Sequence, residues 1–104
     1  MKQLTNSILR IKIDIDLTSV ERIEFAFSQT QTSAPKKIEI YPSDKVFNLG
    51  GNVLGVAWTA DETKQFVADS EFYVDTRIKL YNSDYNPETK MATAFMERTL
   101  FREE

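Results

Sequence analysis

Cysteine and histidine are both absent from this 104-residue chain, and their absence removes whole classes of chemistry. There is no disulfide framework, no thiolate or imidazole ligand for zinc or haem, no Ser-His-Asp or Cys-His nucleophile pair, and no imidazole acid or base near neutral pH. Any reaction would have to run on carboxylates, lysine or tyrosine. Positive charge is not in excess either. Thirteen Lys and Arg stand against 16 Asp and Glu, a formal charge of −3, so no broad positive field is offered to nucleic acid. The start, Met1 to Asn6, leads straight into alternating charge, which predicts neither a signal peptide nor a transmembrane helix. Glycine is scarce at 3 residues, and Gly50 and Gly51 lack the lysine and further glycines of a phosphate-binding loop.

What is present suits one core. Hydrophobic residues make up 41% of the chain and aromatics 12%, while the 28% charged residues carry both signs, which argues for one folded domain over residues 1–104 and against a disordered tail. No repeat, low-complexity tract or internal linker interrupts it.

Periodicity supplies the fold class. Leu9, Ile11, Ile13 and Ile15 alternate with Arg10, Lys12, Asp14 and Asp16, which predicts a half-buried strand. Ile23, Phe25 and Phe27 repeat the pattern against Arg22, Glu24 and Ala26. The short Asp16 to Ser19 link between the two runs predicts antiparallel neighbours. After the polar stretch Gln29 to Pro35, Ile38 and Ile40 alternate with Lys37, Glu39 and Tyr41, and Tyr41-Pro42-Ser43-Asp44 reads as a turn. Val46 and Phe47 form a short strand, Gly50-Gly51-Asn52 a tight turn, and Leu54, Val56 and Trp58 one face of the next strand.

Thr59-Ala60-Asp61-Glu62 is a capping box, so a helical turn or two is expected from about Ala60 to Phe66. Phe72, Val74, Thr76, Ile78 and Leu80 then mark the longest alternation, expected to be a central strand. Asn82 to Glu88 is a polar connection, and Lys90 to Phe101 is apolar on both parities, so its inward face is not declared. The expected fold is all-β: a two-sheet antiparallel β-sandwich of about seven strands with one short helical turn, ahead of a closed barrel.

Few residues suggest chemistry. Asn82, Asp84, Asn86 and Glu88 place oxygens at alternate positions as a calcium loop does, but Pro87 stands where that loop needs glycine and Thr93 where it needs the bidentate glutamate. A solvated hairpin loop accounts for them better. Asp14, Asp16 and Asp75 would supply paired carboxylates if their strands adjoined; Arg10, Lys12, Arg77 and Lys79 on the same faces read instead as cross-strand charge partners. Tyr73, Tyr81 and Tyr85, outward on the long strand or just beyond it, are the candidate interaction surface. Trp58 shares parity with Leu54 and Val56 and belongs to the core. No catalytic, cofactor or metal residue is assigned.

One resemblance covers most of the chain. It is carried by the run Asp16-Leu17-Thr18-Ser19-Val20-Glu21-Arg22-Ile23-Glu24-Phe25-Ala26-Phe27-Ser28-Gln29 and by Lys37-Ile38-Glu39-Ile40-Tyr41-Pro42. Trp58-Thr59-Ala60-Asp61-Glu62-Thr63-Lys64-Gln65-Phe66, leading into the Phe72 to Tyr81 strand, completes it. In this order of signals the chain resembles small prophage-encoded proteins of Gram-positive bacteria related to the N-terminal domain of phage upper baseplate proteins. The resemblance implies a β-sandwich used as a non-enzymatic assembly module of the tail or baseplate region. It would associate with itself or with other virion tail or baseplate proteins, without nucleic acid, membrane or cofactor. Its place would be the virion, or the host cytoplasm during assembly. The competing expectation is a small carbohydrate-binding or adhesion module.

Overall fold

Alternating apolar residues become strands along most of the chain, in a computed structural model that describes residues 1–31, 34–81, 89 and 91–99. The strands are β1 (Ser7–Lys12), β2 (Val20–Ser28), β3 (Lys37–Tyr41), β4 (Val46–Gly50), β5 (Val53–Trp58), β6 (Ser70–Leu80) and β7 (Ala92–Met96). A 3-10 turn (Leu17–Ser19) precedes β2, and one short helix, α1 (Ala60–Lys64), follows β5. The strands form two antiparallel sheets, in the order β1-β5-β4 and β3-β2-β6-β7. The protein is a two-sheet β-sandwich, with β6 central in the larger sheet.

The core lies between the layers. Ile23, Phe25 and Phe27 of β2 and Phe72, Val74 and Ile78 of β6 face Leu54, Val56 and Trp58 of β5, all of them buried. Each buried aromatic or large aliphatic side chain contributes about 1.5–3 kcal/mol through loss of apolar contact with water. Trp58 is the hub at one end: its ring lies 5.0 Å from Phe27, 5.2 Å from Phe66 and 5.5 Å from Phe72, centre to centre. The Phe27 and Phe66 contacts are edge-on, the arrangement the ring quadrupoles favour.

The first two strands are not neighbours. β1 pairs with β5, whereas β2 lies in the other sheet between β3 and β6. In opposite layers both strands still turn their apolar faces toward the shared core, and the link between them makes that crossing. β1 ends at Lys12; Ile13 then donates its N–H to the Asn52 carbonyl at 2.8 Å, and Ile13 and Leu17 insert their side chains into the core. Asp16 caps the 3-10 turn, accepting from the Thr18 N–H at 3.0 Å and its hydroxyl at 2.9 Å. These bonds, the backbone one foremost, hold the Asp16 carboxyl below its ordinary range.

The N-terminus also changes layers. Gln3 donates to the Glu97 carbonyl and Glu97 to the Met1 carbonyl, at 3.0 and 2.6 Å, so the first residues lie parallel to the end of β7. Leu4, at φ 57°, turns the chain toward β1. The β4–β5 hairpin turns through Gly50, Gly51 and Asn52 at φ 93°, 60° and 59°, a left-handed stretch that glycine and asparagine tolerate best. At α1 the capping box is complete: Glu62 N–H donates to Thr59 Oγ1 at 3.2 Å and Thr59 N–H to Glu62 Oε1 at 2.8 Å. In β7, pairing of Phe72 with Ala94 and Ser70 with Met96 settles the inward face. Met96 is fully buried and Phe95 faces out.

Candidate interaction surfaces

Tyr73 lies within β6 and Tyr81 one residue past its end, on the same outward parity but eight positions and about 26 Å apart at strand rise. They are two separate places on the sheet; Tyr85 and the Asn82 to Glu88 loop lie outside the described residues. Asp14 and Asp16 follow β1 in one layer, while Asp75 faces outward from the other. The three carboxylates therefore do not converge. Asp14 instead borders an opening of about 380 Å³ between the layers, walled mainly by Ile11, Ile13, Ile15, Ile78 and Ala92. Among the described residues no three Asp or Glu side chains gather as a metal site, and no helix is long and apolar enough to cross a membrane.

The outer face of the four-stranded sheet is uneven in charge. Toward one end its ions are paired: Glu24 bridges Arg22 at 3.1 Å and also binds Arg77, and Glu21 bonds Lys79 at 2.8 Å. The Lys79 bond, then its charge, holds the Glu21 carboxyl below its usual range. Toward the other end Asp75 and Glu71 form no ion pair among the described residues. Around them stand Tyr73, exposed Ile38 and exposed Phe95. Ala26, in register between Ile38 and Asp75, is small enough to leave two adjoining depressions of about 200 and 110 Å³ above it.

The outer face of the three-stranded sheet is built differently. Its central strand β5 presents Val53, Gly55 and Ala57, flanked by Ile8, Arg10 and Lys12 of β1 and by Phe47 and Leu49 of β4. Lys45 joins this face beside Ala57, whose N–H it accepts at 2.8 Å. Gly55 lies under three of these side chains. A Cβ there would stand 2.9 Å from Phe47, 3.0 Å from Ile8 and 3.1 Å from Leu49. Phe47 pairs across the strands with Gly55 and shields the backbone that glycine leaves open. Ile8 and Leu49 nevertheless remain 52% and 44% exposed, a large fraction for apolar side chains that already touch one another's neighbourhood.

A third feature sits at the α1 end of the sandwich. The inward parity of β3 is Lys37, Glu39 and Tyr41, and Ile38 and Ile40 face solvent. Lys37 is buried. Its ammonium lies 2.5 Å from Glu39 Oε2 and 2.5 Å from Glu62 Oε2, and 5.3 Å from the centre of the Trp58 ring. Burial of Glu62 by itself raises its pKa, but the bond to Lys37, the Thr59 N–H and the Lys37 charge outweigh it, and the carboxyl ends below its ordinary range. An inward-pointing lysine on an edge strand also discourages a further strand from pairing there. Trp58 Nε1, beside this cluster, is buried without a hydrogen bond among the described residues. Sequence reading assigns Glu62 to the cap; that the same carboxylate also holds a lysine 25 residues earlier needs the tertiary fold.

No family model and no curated protein matches the chain. Among solved structures, the extracellular domains of the voltage-gated sodium channel β4 subunit, whose parallel homodimers are described as explaining that protein's role in cell–cell adhesion, align over 93% of this chain and 85% of that one. The identity is 14% and the TM-score 0.41.

Proposed function

We propose that the protein is a non-enzymatic structural and assembly module of a phage or prophage, working in the tail or baseplate region by binding itself or a neighbouring tail protein. The observation that carries the binding part is the exposure of large apolar side chains on both outward faces of the sandwich: Ile8 and Leu49 on one, Ile38, Ile40 and Phe95 on the other. Apolar groups left in water on a flat sheet are stabilised when a second surface covers them. The virion context rests on the resemblance carried by Asp16 to Gln29, Lys37 to Pro42 and Trp58 to Tyr81. The test is immunodetection of the chain in particles purified after induction of the strain that encodes it. Recovery with particles in stoichiometric amount is the expected result. Its presence only in the particle-free lysate refutes the assembly role.

A further inference from the structure

We propose that two copies associate head-to-tail: the outer face of the three-stranded sheet of one copy covers the Tyr73 end of the four-stranded face of the next. This rests on the binding reading above and names its surfaces. The first face carries Arg10, Lys12 and Lys45 around the apolar patch over Gly55, and no carboxylate projects from its strands. Asp14 and Asp44, the acidic residues next in sequence, belong to the flanking turns, and neither forms an ion pair with these cations. Three cations without an ion pair among the described residues, on one face of a chain of net charge −3, mark a segregation of charge. The second face supplies the complement, Glu71 and Asp75 without ion partners among the described residues, set among Tyr73, Phe95 and Ile38. Apolar area meets apolar area, and cations meet carboxylates.

Size sets the class of contact. Three strands about 4.8 Å apart and five or six residues long, with side-chain reach, offer roughly 500 Å² per copy, hence about 1,000 Å² buried in all, the low end for a specific contact. A contact of this size built on exposed charges is expected to be transient and salt-sensitive. Because the two faces differ, a dimer keeps one of each kind free, and growth passes beyond it into a chain or closes as a ring.

Sedimentation equilibrium over a concentration series tests this. The expected result is a weight-average mass that rises from the 12.0 kDa monomer past the dimer and falls back as salt is raised. Arg10→Glu with Lys45→Glu, and separately Glu71→Lys with Asp75→Lys, each reverse one face and weaken association at least tenfold; a mixture of the two restores it, because each variant retains the face the other lacks. Far-UV circular dichroism checks that both fold, and Arg10→Gln with Lys45→Gln serves if reversal disturbs the fold. A wild-type chain that stays monomeric at every concentration overturns the inference. So does association that the reversals leave unchanged, or binding of anionic vesicles or polyglutamate by a chain that does not self-associate. Each of these outcomes leaves the particle assay free to support the assembly role.

Discussion

Lys37→Met removes one charge from the α1 end of the sandwich while keeping a stem long enough to lie on Trp58. The lysine side chain is 3% exposed, against 17% for Glu39 and 28% for Glu62. Deleting one member of a fully buried ion pair costs about 3–5 kcal/mol, because the partner charge is stranded. Here both carboxylates reach water, so part of that penalty is relieved, and the loss of two charge-assisted bonds sets an expected cost of about 2–3 kcal/mol. The chain's single tryptophan lies against the site, so its fluorescence in urea reads the unfolding directly. With a urea slope of about 1–2 kcal/mol/M the midpoint falls by roughly 1–3 M.

The pH dependence carries its own sign. Glu62 has a folded pKa below its ordinary value, so its contribution is present above the unfolded pKa and is lost as pH falls through the folded one. The gap between wild type and Lys37→Met should accordingly be widest at neutral pH and narrow on acidification below the ordinary carboxylate range. A Lys37→Met protein as stable as wild type at neutral pH, or a gap that widens in acid, refutes the assignment of stability to this cluster.

Phe25→Ala, at a fully buried position between Ile23 and Phe27, should cost about 3–5 kcal/mol in denaturant melts; a change below roughly 1 kcal/mol would place that face of β2 in solvent. Gly55→Ala should destabilise by about 1–3 kcal/mol despite the better strand propensity of alanine, because its Cβ would meet Phe47, Ile8 and Leu49 at 2.9–3.1 Å. A stabilised Gly55→Ala variant would show that these side chains swing aside freely.

Much of the sandwich is legible one strand at a time. Period-2 alternation places Leu9 and Ile11, Ile23, Phe25 and Phe27, Leu54, Val56 and Trp58, and the Phe72 to Leu80 run on the faces that the structure buries wholly or in part. The Thr59–Glu62 cap and the Gly50-Gly51-Asn52 turn are local chemistry within three or four residues, and both occur as read. Alternation fails where both parities contain groups able to be buried. β3 is the clearest case: alternation sets Ile38 and Ile40 apart as its apolar parity, yet the structure exposes both and buries Lys37 instead.

Tertiary structure decided the rest. Which strands pair is a property of two surfaces at once: β1 finds β5 more than 40 positions away, and the layer they share closes over the buried faces of β2 and β6. Lys37 turns inward because the capping carboxylate of α1 is brought to its ammonium from 25 residues away. Likewise the patch over Gly55 and the segregation of Arg10, Lys12 and Lys45 from Glu71 and Asp75 exist only once β1, β4 and β5 lie side by side in one layer and β6 in the other. The sequence by itself determined each strand's chemistry, its turns and the absence of histidine and cysteine chemistry, because those depend on neighbours along the chain; the buried cluster and the two charged faces depend on neighbours across space, which burial of the core alone selects.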